Sequence, residues 1–427
     1  SKCNKSIKEN LRKAIGSNYQ YTMGISKLDC TGCGLCANIC PSNALAMLPY
    51  EDIPQNKNFE FLLKIKEKKD QINYTVKGTQ YKKPLFEFSG ACAGCGETPY
   101  IKLLTQLFGD KIAIANATGC SSIYGASFPS IPYKIPWANS LFEDNAEFGY
   151  GLLLSYSSNR RLLKKIMEEE INGPNKELFK KWLNNCDNYE ITKTVYEEID
   201  YKKSKIRNLK EFIIARDIWT VGGDGWAYDI GYSGIDHILS TNDNMKILVL
   251  DTEVYSNTGG QSSKASNRSS IAKFSSKGKE NAKKDLARIA MCYPNVYVAQ
   301  VSMGNMNAVI KAFKEADKHN GPALIIAYSP CITHGIKDGM ETQIKEQKLA
   351  ITSGYFPIFR YNAKTKEFNL DMKEPNFDLL DEFIDNETRF KALRVVNEAK
   401  AEELFKNLKE DVKNRYNYYK NFNIQNK

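Results

Sequence analysis

EFIIARDIWTVGGDG (211–225) and KILVLDTEVYSNTGG (246–260) decide the fold. Each is a short apolar run that ends in a loop, and VYVAQVSMG (296–304) and ALIIAYSPC (323–331) repeat the pattern. Between them lie KKDLARIAMCY (283–293) and NAVIKAFKEADKH (307–319), whose apolar residues recur at helical spacing. Alternation of this kind predicts an α/β fold: a mostly parallel sheet covered by helices, with functional loops at the carboxyl ends of the strands. Upstream, KIAIANA (111–117) reads as another strand. RRLLKKIMEEEI and ELFKKWLNN, within about 151–211, are helical and densely charged, as expected of an exposed helical insertion. The charged tail beyond 375 also reads as helical.

The two opening loops carry chemistry. Asp224 stands between Gly223 and Gly225, whose amides can reach an anion. The next strand ends in oxygen- and amide-bearing side chains. Magnesium takes one or two hard protein oxygens together with diphosphate oxygens, and two such loops can provide them. A lone G-D-G occurs in many turns. Followed at this interval by a strand ending in N-T-G-G, it is the thiamine diphosphate signature.

Eleven cysteines in 427 residues are too sparse for a disulfide scaffold and too clustered for scattered core thiols. CTGCGLCANICP (30–41) has the C-x2-C-x2-C-x3-C-P spacing of bacterial iron–sulfur proteins, Cys30, Cys33, Cys36 and Cys40. Zinc is the competing reading, but its ligands usually come as two separated pairs. The fourth cysteine of such a run ordinarily serves a second cluster, and the chain has no second run. Either Cys40 or Cys3 completes this one, or its mate lies in other sequence. SGACAGCGETPY (89–100) holds only two thiols, Cys92 and Cys95; Cys120 and Cys331, each just after a strand-like run, can meet them at the sheet edge. Cys186 and Cys292 read as ordinary thiols, the latter inside a helix.

These stretches, with LDCTGCGLCANICP, ATGCSSIYG, WANSLFEDNAEFG, GGDGWAYDIGY, DTEVYSNTGGQSSKAS and KKDLARIAM, resemble the C-terminal portion of pyruvate:ferredoxin (flavodoxin) oxidoreductase over nearly the whole chain. The resemblance implies a thiamine diphosphate-binding fold preceded by a partial ferredoxin-like domain. It implies a [4Fe-4S] cluster on Cys92, Cys95, Cys120 and Cys331, and magnesium on Asp224, the Thr252 side chain and the Val254 carbonyl. Cofactor contacts fall on Cys120, Gly223, Asp224, Gly225, Trp226, Thr252, Glu253, Val254, Tyr255, Ser256, Asn257 and Thr258, with Asn257 facing the substrate. The implied reaction joins pyruvate and coenzyme A to give acetyl-CoA and carbon dioxide. Electrons pass by the Cys92 cluster and then the Cys30 cluster to ferredoxin or flavodoxin.

The family's N-terminal half, which supplies a glutamate and the pyruvate-carboxylate site, is absent from this sequence, and the chain opens on Ser1. It is therefore expected to be a fragment or one chain of a split enzyme, with a homodimer as the full assembly. Domains are expected at 1–60 (partial ferredoxin-like), 61–84 (charged linker) and 85–427 (cofactor domain). Competing readings are a non-catalytic electron-transfer fragment and an oxidoreductase for another 2-oxoacid. The net charge of +10 suits an acidic carrier or simply a solvated lysine-rich surface. Nucleic-acid motifs and apolar runs of membrane-spanning length are lacking, so cytosol or the lumen of a hydrogenosome-like organelle is expected. His237, His334, Asp229 and Asp236 read as structural residues near the loops.

Overall fold

Consecutive apolar strands require cover on both faces, and the computed structural model provides it. It describes residues 5–9, 11–49, 57–126 and 131–422. The main sheet has eight strands: β1 Ile112–Ala117, β2 Trp137–Ser140, β3 Asp217–Gly223, β4 Lys246–Asp251, β5 Tyr297–Ser302, β6 Ala323–Tyr328, β7 Phe359–Asn362 and β8 Glu367–Leu370. Their spatial order is β8-β7-β5-β6-β4-β3-β1-β2. All pairings from β2 to β5 are parallel, and β7 and β8 join antiparallel at one edge. This edge hairpin is absent from the sequence reading, because its strands are short, half polar and joined by a turn through Lys366 at φ 54°.

Side chains alternate between two cores, as the two-residue period of a strand demands. Trp219, Val221, Leu248, Leu250, Ala299, Val301, Ile325 and Ala327 pack with helices Thr98–Phe108 and Met306–Lys318. Ile218, Ile247, Val249, Val298, Leu324 and Ile326 face the other way. There the C-terminal helix Glu398–Lys420 contributes Ala401, Leu404, Phe405, Leu408 and Val412, a stripe at helical spacing.

The helical insertion has its own core of Leu163, Met167, Phe179, Trp182, Val195, Ile199, Ile206 and Ile213. Its first helix, Asn145–Glu169, starts before the bound read from sequence. Ala146 and Leu153 belong to the sheet's core, and a methyl group added at Gly149 would stand 3.2 Å from Thr220 and 3.3 Å from Ala115. The boundary read at 60 falls within helix Lys57–Leu63. Leu62 packs on Gly24, so this helix belongs with the N-terminal cysteine region rather than with a linker. No helix among the described residues is long and apolar enough to cross a membrane.

Candidate cofactor site and cysteine loops

The loops after β3 and β4 meet at the carboxyl edge of the sheet. Close approach is built in: a methyl group at Gly222 would stand 2.6 Å from the Trp226 ring, and one at Gly225 2.6 Å from the Tyr255 ring. Asp224 is buried and accepts hydrogen bonds from Ser263 Oγ and, at 3.0 Å, from Thr252 Oγ1. Thr252 Oγ1 also lies 3.0 Å from the Val254 carbonyl and in contact with Ser256 Oγ. A hydroxyl has one hydrogen and cannot donate to both Asp224 and Val254. The three oxygens that the resemblance assigns to magnesium thus converge, and a small divalent cation satisfies them where one proton cannot. Burial pushes the Asp224 carboxyl well above the usual range, and the nearby charge of Asp251 adds to this.

A cavity of about 230 Å³ opens above this oxygen set. Its walls include Gly223, Asp224, Gly225, Thr252, Val254, Tyr255, Ser256, Asn257, Thr258 and Cys120 from the predicted residues. Glu97, Thr118, Gly119, Ser121 and Phe142 join them. The last group escaped the sequence reading although each lies within or next to a quoted motif; Glu97 directly follows the C-x-x-C-G run. Two of the expected contact residues have side chains that do not face the cavity, which leaves only their backbone on that side. The Trp226 side chain is fully buried, packed against Gly222 and Gly231, and Glu253 turns away from the cavity into a buried ion network. Burial opposes ionisation of Glu253, but Lys283 and Arg389 outweigh it and hold the carboxyl far below its usual range. His334 is buried with Nε2 2.7 Å from the Thr252 carbonyl, whereas His237 is exposed at the edge of the Tyr150 ring.

The four later cysteines gather on the same edge. The Cys95 amide donates to the Cys92 carbonyl at 3.0 Å, and the Gly96 amide donates to the Pro330 carbonyl at 3.1 Å, which ties the C-x-x-C loop to the Cys331 loop. Cys120 opens helix Cys120–Gly125. Burial raises its thiol pKa, and the charges of Glu97, Cys331, Cys95 and Cys92 add to the rise, which places Cys120 within electrostatic reach of the other three thiols. Among the described residues, no three such side chains converge on a single ion. Each cysteine of a cubane binds a different iron, so a cluster would need the four sulfurs around a volume rather than at a point. Beside them, burial raises Glu97 to about 7, partly offset by Tyr124, and its Oε2 has no partner.

In the N-terminal run, Cys30 and Cys36 are exposed and Cys33 and Cys40 half-buried. The Ala44 amide donates to Cys40 Sγ at 3.3 Å and lowers that thiol's pKa, with help from the Ser42 amide. Cys3 lies outside the described residues. Two consecutive residues join the cysteine loops. A methyl group at Gly94 would stand 2.7 Å from Met340 Cβ, and one at Gly34 3.0 Å from Glu341 Cβ. Cys186 lies beside the insertion core, and Cys292 is exposed in a turn after the short helix Leu286–Ala290, not inside a helix as expected.

Residues 210–327 match the thiamine pyrophosphate enzyme C-terminal TPP binding domain, and residues 24–46 match the 4Fe-4S binding domain. A pyruvate:ferredoxin oxidoreductase of Moorella thermoacetica is 44% identical over 96% of this chain and 38% of its own length. A pyruvate-flavodoxin oxidoreductase of Klebsiella pneumoniae is 43% identical over 94% of this chain and 37% of its own. A pyruvate dehydrogenase [NADP(+)] of Cryptosporidium parvum is 42% identical over 88% and 23%. This chain thus spans well under half the length of these relatives. A solved 2-oxoglutarate:ferredoxin oxidoreductase of Magnetococcus marinus aligns over 72% of this chain and 89% of that one, with 16% identity and a TM-score of 0.41. Over nearly its whole length, therefore, the chain matches the C-terminal portion of pyruvate:ferredoxin/flavodoxin oxidoreductases, the portion with the thiamine pyrophosphate C-terminal domain and a 4Fe-4S motif.

Proposed function

We propose that this chain forms the cofactor-holding part of an enzyme that oxidatively decarboxylates pyruvate with coenzyme A to acetyl-CoA and carbon dioxide, and delivers the electrons to ferredoxin or flavodoxin. The observation that carries this reading is the convergence of Asp224, Thr252 Oγ1 and the Val254 carbonyl at a cavity that the Cys120 loop also lines. These oxygens suit magnesium and a diphosphate. Cys92, Cys95, Cys120 and Cys331 suit one [4Fe-4S] cluster, and the Cys30, Cys33, Cys36 and Cys40 run another. When bound, thiamine diphosphate stabilises the carbanion left as carbon dioxide departs, and iron–sulfur clusters take up electrons singly.

The residues of the chain supply position and electrostatics. Asn257 lines the cavity from an exposed loop, where its amide can donate to a substrate oxygen on which negative charge grows. Phe142, tilted on Tyr255 with centroids 5.7 Å apart, gives the cavity an apolar wall that limits water. Ile123, Leu141 and Ile332, each within two residues in sequence of a cavity or cysteine residue, are exposed. They suit a covering segment from the rest of the enzyme, on the same or a separate chain, which would complete the pyruvate site in a homodimer. Thiol-held clusters suit a reducing compartment, cytosol or an organelle lumen. Relatives named for ferredoxin, flavodoxin and NADP+ share this region, so acceptor choice is read here from the first two names.

The test is anaerobic viologen reduction by the assembled enzyme, dependent on both pyruvate and coenzyme A, alongside iron and sulfide analysis. Reduction driven by another 2-oxoacid and not by pyruvate overturns the substrate. A protein that takes up neither iron nor thiamine diphosphate overturns the whole reading.

A further inference from the structure

Behind the oxygen set lies a network of charged groups that no step above uses. Asp251 and Glu253 flank Thr252, and both are fully buried. Lys283 Nζ donates to Asp251 Oδ2 at 2.7 Å and to Glu253 Oε1 at 2.8 Å, bridging the two neighbours of Thr252. Asn267 Nδ2 donates to the same Glu253 Oε1 at 2.7 Å, and Tyr355 Oη to Oε2 at 2.6 Å. Arg389 NH1 lies 2.8 Å from Glu253 Oε2, while its Nε donates to Glu387 at 2.6 Å. Two cations and two neutral donors therefore converge on one carboxylate.

That carboxylate belongs to a residue with φ 59°. The left-handed region disfavours a side chain, and glycine is the usual occupant. Here the unusual backbone has a geometric consequence. It sends the Glu253 side chain to the rear while the Val254 carbonyl and the Thr252 hydroxyl stay within 3.0 Å of each other on the Asp224 side. Glycine could adopt this turn, but nothing would hold it there. A glutamate gripped from behind has no such freedom.

We propose that Lys283 and Arg389, gripping Glu253, are positioning residues that hold the Thr252–Val254 turn in the shape needed for magnesium and diphosphate. They touch neither the cofactor oxygens nor the cavity; they act through the backbone of the turn. The inference rests on the reading of Asp224, Thr252 and Val254 as the metal site.

Binding of Mn2+ with thiamine diphosphate tests it, followed by the fall in the free Mn2+ EPR signal in the assembled enzyme. Removing supporting contacts around metal ligands typically weakens metal binding about 10- to 100-fold. Glu253→Gly should do so while folding normally, because glycine tolerates the backbone and Lys283 and Arg389 keep Asp251 and Glu387 as partners. Lys283→Met should weaken binding similarly and Lys283→Arg should restore most of it. Tyr355→Phe, which removes one donor, should cost only a few-fold. Wild-type binding in a folded Glu253→Gly protein overturns the inference while leaving the metal site intact. Absence of binding by the wild-type enzyme overturns the metal-site reading, and the inference with it.

Discussion

Two places in this chain are shaped for inorganic chemistry, and they are built in opposite ways. The turn at Thr252–Val254 rests on buried charge: Asp224, Asp251 and Glu253 are all sealed from solvent, and side chains from distant segments fix them. The run from Cys30 to Cys40 has little behind it. Its helix is four residues long with no buried member, and Met23, Ile25, Leu28 and Leu48 stand exposed around it. One site is preorganised by the protein, so its ligand enters a finished shape. The other draws much of its order from the metal it binds.

That contrast can be broken by disturbing each side separately. The largest effect is expected in the sheet. Phe313 is fully buried with its ring edge-on to Trp219, and Phe313→Ala should cost about 3–5 kcal/mol. Chemical denaturation would measure it, and iron content at low denaturant should not change. A loss of iron in the still-folded variant would mean that the cysteine loops depend on the sheet's interior more than their exposure suggests.

Next comes the opposite disturbance. Anaerobic chelation of iron should speed proteolysis within residues 24–46, as local opening does, while the strands from 112 to 328 stay protected. Cleavage sites read by mass spectrometry would show it. Equal loss of protection in both regions would refute the division.

The same contrast explains what could be read from sequence. Motifs that place chemical groups within a few residues of one another, the cysteine runs and the G-D-G and N-T-G-G loops, were legible because the spacing is the site. The alternating runs gave the parallel sheet for a similar reason, since a strand buried on both faces has to be apolar throughout. Side-chain direction was not legible. Thr252 and Glu253 are neighbours, yet one faces the cavity and the other the rear, and nothing local announces a left-handed glutamate. Lys283 and Arg389 are invisible in the same way: each is an ordinary cation until the fold brings it to Glu253. Trp226 follows the G-D-G loop and was read with it, and the π-helical turn Gly225–Ile230 carries its side chain into the core, a direction the motif does not encode.

A smaller effect concerns the thiol set itself. Cys331→Ser should remove the cluster proposed for Cys92, Cys95, Cys120 and Cys331 and leave the N-terminal one, so that iron falls from about eight to about four atoms per chain. The Gly96–Pro330 hydrogen bond and the sheet should survive, as near-ultraviolet circular dichroism would report. Unchanged iron would exclude Cys331 as a ligand.

The smallest effect is the most discriminating, because it compares glycines in the two cysteine loops that share one backbone conformation. Gly94 and Gly34 have φ of 76° and 77°, and Gly32 has 67°. Alanine at any of them carries the left-handed penalty of about 1–2 kcal/mol. They differ in surroundings. A methyl group at Gly94 meets Met340 Cβ at 2.7 Å and the Met340 carbonyl oxygen at 3.1 Å; at Gly34 it meets only side-chain atoms of Glu341, the flexible carboxyl end and, at 3.0 Å, Cβ; at Gly32 it meets nothing within 4 Å. Backbone cannot move aside as a side-chain end can, so Gly94→Ala should cost about 1 kcal/mol more than Gly32→Ala, with Gly34→Ala between. Urea midpoints of the visible iron–sulfur absorbance would rank the three. Equal costs would mean that the loops do not press on residues 340–341 in solution, and that the contact joining the preorganised half of the molecule to the metal-ordered half is not made.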